Sequence, residues 1–414
     1  MKMDQKASPP VTALVLSGGG ARGAYEAGVA LYVADELSLP SGREGGFDIL
    51  SGTSSGALNC SYLAAHRGSS AAQGLAHYWR HLTPERVFRF GLPELTSLAR
   101  KLWGQTSNHH SSPVGEGYPH APIAGLLDTT PLRKDITDLI EWDQIGSHLA
   151  AGRLTGLALC ATEVCRGRTA IFYQMAQGRE IVPAEDPSKV IKRVEVGPDH
   201  ALASAAVPFL FPAVQVEGTC YVDGGLRQNT PIYPAMRMGA DRLLVVSVSE
   251  SPAVSFARAR SSCKINSTPG VFFLLGRTIK SLLNEAIDYE LHRIEMFNEL
   301  LIQGQKLYGE EYLEKINDVT ASFRHSRYRQ ISTCLVRPSR DLEEMARAAY
   351  NEAPDEMVPS GIGGALLRKR AAEQLIESEL LSYLMFTPRY LSRLVELGFE
   401  DARAMRGEII RVFS

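Results

Sequence analysis

The pentapeptide from Gly52 to Gly56, GTSSG, constrains the fold of this chain more than any other feature. It follows a short apolar segment, 47–51, that is typical of a strand, and it precedes an Ala-rich segment, from 55 to about 66, that is typical of a helix. A G-x-S-x-G sequence between a strand and a helix predicts a sharp turn with its central serine held above the strand end. We therefore interpret Ser54 as a candidate nucleophile, with a chance Ser/Gly turn as the alternative.

The remaining hydrophobic pattern predicts an α/β protein. The apolar run 12–16 reads as a buried strand, and it enters a Gly-rich turn followed by a helix to about Leu37. The first 66 residues thus alternate between strand and helix, which indicates a parallel sheet. Further strands are predicted at 154–164, 169–175, 242–249 and 330–338. No strand is predicted between the second helix and residue 154, and the segments 271–301 and 340–414 are expected to be mostly helical.

The composition of the chain argues against several classes of function and of stabilising site. Lys and Arg total 44 against 46 Asp and Glu, a formal charge of −2, so the chain lacks the basic field that nucleic-acid binding normally requires. Its six cysteines contain no CxxC pair, so neither a zinc site nor a disulfide framework is predicted. We find no apolar leader segment and no membrane-spanning run, and we expect a reduced, soluble, cytoplasmic protein.

A second interpretation competes for the Gly-rich turn. Gly18, Gly20 and Gly23 satisfy G-x-G-x-x-G, the pattern of dinucleotide-binding loops. Such a loop also needs an acidic residue at the end of the second strand to bind the ribose. Here Asp48 stands near the start of that strand, and the strand runs instead into GTSSG. A nicotinamide cofactor is therefore not expected.

The candidate base for Ser54 is an aspartate rather than a histidine. None of the ten histidines follows a strand and precedes a glycine, as the base of a catalytic triad would. Asp223 does, in the sequence YVDGG, although an ordinary Asp-Gly turn is the alternative interpretation. Nearby, His200 is expected to cap a helix over 199–206, and Asn229 is interpreted as a helix cap rather than a ligand.

Taken in order, SGGGARG at 17–23, GTSSG at 52–56 and DGG at 223–225 resemble the three signatures of the patatin-like phospholipase family, most closely its bacterial branch. Other stretches, such as LLDTTPL at 126–132 and ASAAVPFLFPAV at 203–214, are similar too. The resemblance covers most of the chain. It implies a three-layer α/β/α fold with a mainly parallel central sheet, a nucleophile elbow and a helical C-terminal part.

The resemblance also implies a catalytic mechanism. Ser54 and Asp223 would form a Ser–Asp dyad that cleaves an ester through an acyl-enzyme. The oxyanion would be held by the glycine-rich loop at the start of a helix, where backbone N–H groups converge. The residues assigned to that loop are Gly18, Gly19, Gly20, Arg22 and Gly23, and those supporting the other motifs are Gly52, Gly56, Gly224 and Gly225. Arg22 would steady the loop or meet phosphate charge, the alternative being an exposed arginine. No metal or cofactor is implied.

The function expected from these residues is that of a lipid acyl hydrolase, of phospholipase A or lysophospholipase type. The alternatives are a carboxylesterase or thioesterase for soluble esters, or a regulatory protein that retains the fold. The expected partner is a phospholipid or another fatty-acyl ester. The apolar segments at 90–103 and 271–283, beside a polar loop at 105–125, are expected to pack in the core, with peripheral membrane contact as the alternative. The catalytic core is placed at 10–250, with 251–414 packed on it.

Overall fold

The computed structural model describes residues 9–37, 46–90, 125, 127–181, 186–250, 277, 281, 287–324, 327–357 and 380–413. The apolar segments 90–103 and 271–283, and the polar loop 105–125, lie almost entirely outside the described residues. Among the described helices, none has the length and hydrophobicity needed to cross a bilayer.

A mixed, mostly parallel sheet forms the centre of the fold. The strands are β1 (Thr12–Leu16), β2 (Ile49–Thr53), β3 (Arg89–Phe90), β4 (Leu127–Asp128), β5 (Gly156–Glu163), β6 (Thr169–Met175), β7 (Lys189–Arg193), β8 (Val214–Val216), β9 (Thr219–Asp223), β10 (Arg242–Val246) and β11 (Ser332–Val336). The path of the sheet is β11-β10-β1-β2-β5-β6-β7, with β9 paired to β5 and β8 paired to β9, while β3 and β4 form a separate antiparallel pair. The strands β11, β10, β1, β2 and β5 are parallel to one another, whereas β5 is antiparallel to β6 and β9.

Helices cover both faces of this sheet. They are α1 (Gly23–Glu36), α2 (Ser55–Ala65), α3 (Ser69–Arg80), α4 (Pro84–Val87), α5 (Thr130–Leu139), α6 (Trp142–Ala150), α7 (Pro198–Ser204), α8 (Ile232–Arg237), α9 (Ile287–Tyr308), α10 (Tyr312–Arg324), α11 (Leu342–Glu352), α12 (Leu381–Leu384), α13 (Pro388–Ala404) and α14 (Arg406–Phe413). Short 3-10 turns at Gly20–Arg22 and Gly224–Leu226 each follow a strand of the central sheet.

The period of two along the buried strands divides the core into layers. On β1, Leu14 and Leu16 join the cluster that includes α1 and α2, whereas Ala13 and Val15 join the cluster that includes α8 and α9. Successive strand side chains point to opposite faces, so a strand that is buried on both faces must be apolar at every position. The expected three-layer α/β/α architecture is confirmed.

The C-terminal part packs directly on the first helix. A Cβ on Gly28 of α1 would lie 2.1 Å from the Val395 carbonyl oxygen, and one on Gly398 of α13 would lie 2.0 Å from the Tyr25 carbonyl oxygen. The two helices therefore cross with their backbones in contact, which only glycine permits. The Tyr25 hydroxyl also donates to Asp401 at 3.0 Å. The helix that begins after the glycine-rich loop is thus held by residues near the end of the chain.

Several predicted elements differ from the structure. The second strand is Ile49–Thr53, two residues later than predicted. The expectation of no strand between the second helix and residue 154 was wrong, because Arg89–Phe90 pairs with Leu127–Asp128. The edge strands β7 and β8 were also not predicted. Both strands are short, and most of their residues are half-buried or exposed. They therefore lack the apolar runs that identified the central strands.

Candidate active site

Ser54 lies at a strained turn between β2 and α2. Its φ of 53° and ψ of −122° fall where residues other than glycine are rare. A Cβ on Gly52 would lie 2.3 Å from the Gly56 carbonyl oxygen, and one on Gly56 would lie 2.5 Å from the Leu16 carbonyl oxygen. Both glycines are therefore required for the chain to turn this sharply against β1. This is the geometry of the predicted nucleophile elbow.

Hydrogen bonds from another element hold the turn. The Ser54 N–H donates to Ser204 Oγ at 2.9 Å, and Ser204 Oγ donates in turn to the Cys160 carbonyl oxygen at 2.5 Å. Ser204 is at the end of α7, so that helix fixes the backbone of the elbow. Strained backbone persists where the surrounding structure determines it in this way.

Strand pairing brings Asp223 close to Ser54. Thr53 is paired with Cys160 across β2 and β5, and the next residue of β5, Ala161, is paired with Asp223 on β9. Ser54 and Asp223 are therefore neighbours across three strands, although 169 positions separate them. Both side chains are buried and line one cavity.

The Asp223 carboxyl is poorly solvated. Its Oδ1 accepts a hydrogen bond from the Gly225 N–H at 2.7 Å, whereas Oδ2 is buried with no partner of normal hydrogen-bond geometry. Burial raises the pKa of this carboxyl to about 6, although the nearby Ser54 hydroxyl and the Gly225 N–H both act to lower it. A carboxylate with a raised pKa and an unpaired oxygen is a stronger base than one in water.

The glycine-rich loop lies above the same strands, because β1 is parallel to β2 and both end at this edge of the sheet. The Gly18 N–H donates to the Asn229 carbonyl oxygen at 3.1 Å, and the Gly19 N–H donates to Ser55 Oγ at 3.0 Å. Within the described part of the chain, the Gly20 N–H donates no hydrogen bond. Gly20 has a φ of +56°, and a Cβ there would lie 2.4 Å from the Tyr383 carbonyl oxygen.

Arg22 and Gly23 differ from their expected place in the oxyanion loop. The Arg22 side chain is buried, not exposed, and it lines neither cavity. Its guanidinium donates to Ser382 Oγ at 2.6 Å and lies 4.0 Å from the centre of the Tyr383 ring. The Gly23 N–H donates within the preceding 3-10 turn. Arg22 therefore connects the loop to the C-terminal part, and Gly23 provides close packing.

Two cavities meet at Ser54. The larger, which we call the apolar cavity, has a volume of about 50 Å³. Its lining combines Gly20, Ser54, Ser55 and Asn59 with the apolar or aromatic side chains of Leu58, Tyr62, Leu75, Tyr78, Trp79, Leu82, Val87, Leu132, Ile136, Leu139, Ile140, Ala205, Val207, Phe211 and Phe386. A cleft with this apolar lining suits an aliphatic chain.

The smaller cavity, which we call the polar cavity, contains the predicted chemical groups. Its lining includes Gly18, Gly19, Gly20, Ser54, Asp223 and Asn229, together with Val207, Leu210, Phe211, Leu380, Tyr383, Leu384 and Phe386. The structure thus brings three glycines of the first motif together with Ser54 and Asp223. Gly224 and Gly225 lie just beyond, where a Cβ on Gly224 would be 2.2 Å from the Cys160 carbonyl oxygen.

Other groups were also placed by the structure. His200 accepts a hydrogen bond from the Gly197 N–H at the start of α7, as predicted for a cap. The helix-cap interpretation of Asn229 was wrong, because α8 begins after Pro231 and Asn229 Nδ2 donates to the Gly18 carbonyl oxygen at 3.2 Å. No histidine among the described residues lines either cavity.

The position of Asp48 contradicts the interpretation of the glycine-rich loop as a dinucleotide-binding loop. Asp48 accepts hydrogen bonds from the Thr12 N–H and hydroxyl, at the opposite end of β1 and β2 from the glycine-rich loop. Within the described ranges, no three His, Cys, Asp or Glu side chains come together as metal ligands.

Sequence reasoning missed the contributions of Ser204, Ser382 and Tyr383. Ser204 had a weak signal, since it lies in one of the stretches that resemble the family. Tyr383 likewise begins a stretch that resembles the family, at 383–402. Ser382 had no signal, because it contacts Arg22 across 360 positions of sequence and belongs to no local motif. Only the folded chain places them beside the site.

Solved structures that are similar to this chain include two from bacterial proteins. VipD from Legionella pneumophila is similar in structure at 13% identity, with 95% of this chain and 92% of VipD covered and a TM-score of 0.31. The ExoU–SpcU complex from the type III secretion system of Pseudomonas aeruginosa is similar at 17% identity, with 97% of this chain and 72% of that chain covered and a TM-score of 0.27. No curated protein matches the chain.

A family model described as patatin-like phospholipase matches residues 14–236. This span is more than half of the chain, and it contains the glycine-rich loop, Ser54 and Asp223. The ordered motifs, the mostly parallel sheet and this match agree, and the chain belongs to the patatin-like phospholipase family.

Proposed function

We propose that this protein is a lipid acyl hydrolase of phospholipase A or lysophospholipase type, with Ser54 as its nucleophile and Asp223 as its base. One observation carries the proposal. A serine at a strained elbow and a buried carboxylate with a raised pKa open onto one cavity, and that cavity adjoins an apolar cleft. Family membership supports lipid acyl hydrolysis in general, and the residue roles are inferred from the geometry.

In the first half of the reaction, Asp223 takes the Ser54 hydroxyl proton as the serine oxygen attacks the ester carbonyl. At neutral pH a carboxyl with a pKa of about 6 is mostly ionised and still basic enough to assist. As the tetrahedral intermediate collapses, the ester bond breaks and the leaving alcohol oxygen takes the proton from Asp223. The alcohol departs, the acyl group stays on Ser54, and Asp223 is again a carboxylate. The apolar cavity then holds the aliphatic chain away from water.

The oxyanion of the intermediate requires nearby N–H donors. Gly20 is the best placed of the three glycines, because its N–H has no partner among the described residues. The Gly19 N–H becomes available if the Ser55 hydroxyl rotates away, whereas the Gly18 N–H is held by a backbone carbonyl. We therefore assign the hole to Gly19 and Gly20 and treat Gly18 as support. Each such donor typically contributes about 3–4 kcal/mol to the transition state.

The test is active-site labelling combined with lipid analysis. A fluorophosphonate probe should label the wild-type protein and not Ser54→Ala. Ser61→Ala is the matched control, because that buried serine on α2 bonds only to the Ala57 carbonyl oxygen. Mass spectrometry of phospholipid vesicles incubated with wild type should show released fatty acid, absent with Ser54→Ala. Undiminished labelling of Ser54→Ala would contradict the assignment.

The same experiment separates the alternatives. A carboxylesterase or thioesterase for soluble esters would be labelled at Ser54 but would release no fatty acid from vesicles. A regulatory protein that retains the fold would be neither labelled nor active. The apolar lining of the cleft beside Ser54 favours the lipid substrate.

A further inference from the structure

Two buried acceptor oxygens in the polar cavity have no partner of normal hydrogen-bond geometry among the described residues. They are Asp223 Oδ2 and Asn229 Oδ1, and both residues are almost completely buried. Buried polar atoms in folded proteins nearly always have a partner, so an unpaired acceptor indicates a water molecule or a ligand. Here the two unpaired atoms belong to residues that line one cavity together with Ser54.

The orientation of the Asn229 amide is fixed by its contacts. Its nitrogen, Nδ2, donates to the Gly18 carbonyl oxygen at 3.2 Å, and a carbonyl oxygen accepts only from a donor. The amide oxygen must therefore be on the other side. A Cβ built on Gly18 would lie 2.5 Å from Asn229 Oδ1 and 3.0 Å from Ser54 Cβ. The amide oxygen and the nucleophile thus flank the same point of the loop.

The cavity between these groups has a volume of about 30 Å³, enough for one water molecule. A water molecule has two O–H donors, and the cavity offers two unpaired acceptors. We propose that Asp223 Oδ2 and Asn229 Oδ1 together hold the water molecule that hydrolyses the acyl-enzyme, with Asn229 aiming it at the acyl carbon. This inference rests on the proposed function and assigns to Asn229 a role in its second half-reaction.

Hydrolysis of the acyl-enzyme transfers one proton to Asp223 and back to Ser54. One water proton passes to Asp223 Oδ2 as the water oxygen bonds to the acyl carbon. The tetrahedral intermediate then breaks its bond to Ser54 Oγ, which takes the proton back from Asp223, and a free carboxylic acid leaves. Asn229 Oδ1 accepts the second O–H hydrogen bond throughout and exchanges no proton.

Competition between water and methanol tests this role. Methanol has one O–H group, so it needs the Asp223 acceptor but not the Asn229 acceptor. With 4-nitrophenyl butyrate in aqueous methanol, Asn229→Ala should raise the ratio of methyl butyrate to butyric acid about tenfold, because only hydrolysis loses a hydrogen bond. Asn229→Leu should raise it likewise, and Asn229→Asp, which keeps an acceptor oxygen, should return it towards the wild-type value.

The product ratio does not depend on how much of a variant is folded, since both products come from the same acyl-enzyme. Gln228→Met is the matched control, because Gln228 also has a buried unpaired amide oxygen but does not line the polar cavity, and its ratio should stay at the wild-type value. An unchanged ratio in both Asn229→Ala and Asn229→Leu, with wild type active, would overturn the water-positioning role. A wild-type protein that releases no nitrophenol would instead overturn the proposed function.

Discussion

Single residues at the site adopt conformations and environments that are unfavourable for folding. Ser54 occupies a sparsely populated positive-φ conformation, which costs a residue with a side chain about 1–3 kcal/mol. Asp223 is buried with one oxygen unpaired. Hydrogen bonds to Ser204 and from Gly225 hold the two residues in place. Strain and poor solvation concentrated at one position are typical of functional sites.

Because burial raises the pKa of the Asp223 carboxyl, we expect a rise in pH to increase activity and to decrease the stability of the fold. Its pKa is about 6 in the folded chain and near 4 in the unfolded chain, so the carboxyl stays protonated up to a higher pH when the chain is folded. As pH rises from 4 to above 6, ionisation therefore costs about 3 kcal/mol of stability while it activates the base. We expect kcat/KM to rise through pH 6 and then level off.

Asp223→Asn should be inactive at every pH yet more stable than wild type at pH 8, with the difference disappearing near pH 4. Chemical denaturation at the two pH values measures this change in unfolding free energy. A variant that is less stable than wild type at pH 8 would show that the buried carboxylate is better compensated than its contacts indicate.

Replacement of Gly19 tests whether the shape of the glycine-rich loop controls the rate of the reaction. A Cβ at Gly19 would lie 2.4 Å from Val248 Cγ2, so Gly19→Ala must displace the loop and its N–H donors. We expect kcat to fall at least tenfold with little change in KM, because the donors act mainly on the developing negative charge. The double variant Gly19→Ala/Val248→Ala removes the clash and should recover part of kcat. Normal kcat in Gly19→Ala with a much lower Tm would make this loop a purely structural element.

At the scale of elements, the 3-10 turn after β1 depends on α12. The Arg22 guanidinium is enclosed by Ser382, Tyr383 and Glu343, with Glu343 at 3.5 Å and Ser382 Oγ at 2.6 Å. Its burial is tolerable only because these groups satisfy its donors, since an unpaired buried charge is strongly destabilising. The same segment contributes Leu380 and Leu384 to the polar cavity. Residues outside the family match thus complete the site.

Ser382→Ala should therefore weaken both the fold and the reaction. It removes the acceptor for Arg22 Nε and Nη2, and we expect a loss of about 2 kcal/mol in stability and a lower kcat. Ser61→Ala, a buried serine without a charged partner, should cost less and leave kcat unchanged. Thermal melts and steady-state kinetics on both variants measure these effects. Equal kcat in Ser382→Ala and wild type would mean that the Arg22 contact does not position the loop.

At the scale of the whole molecule, the proposed mechanism divides chemistry and substrate binding between two adjacent cavities. The parallel strands bring β1 and β2 to one edge, and the antiparallel β9 returns Asp223 to it. The apolar cavity extends from Ser54 between α2, α3 and α5. The reacting groups therefore need no additional charge beyond the dyad and the loop donors.

Hydrolysis should accordingly persist in EDTA and be independent of NAD(P)H. The reason is that the proposed mechanism moves one proton between Ser54, Asp223 and water, and stabilises the oxyanion with backbone N–H groups. Fatty-acid release measured with and without chelator, and after re-addition of Ca²⁺ or Mg²⁺, checks the first point. Calorimetry with NADH checks the second. Abolition of turnover by EDTA, with recovery on adding a metal, would contradict the dyad mechanism.

The sequence alone determined the features that depend on neighbouring residues. The bounds of β1 were predicted from its apolar run, and the elbow was predicted from two glycines around Ser54, because both signals arise within a few positions. The order of the three motifs indicated the family, which the family match confirmed. The division of the chain at residue 250 and its cellular location stay predictions.

Tertiary structure decided what depends on distant contacts. Arg22 had the pattern of a loop residue, and only the packing of α12 made it a buried connection to the C-terminal part. Asn229 had the pattern of a helix cap, and only the crossing of its segment over Gly18 turned its amide towards the cavity. Local sequence sets backbone preference and burial, whereas the partner of a polar side chain is set by whichever segment the fold brings within hydrogen-bond distance.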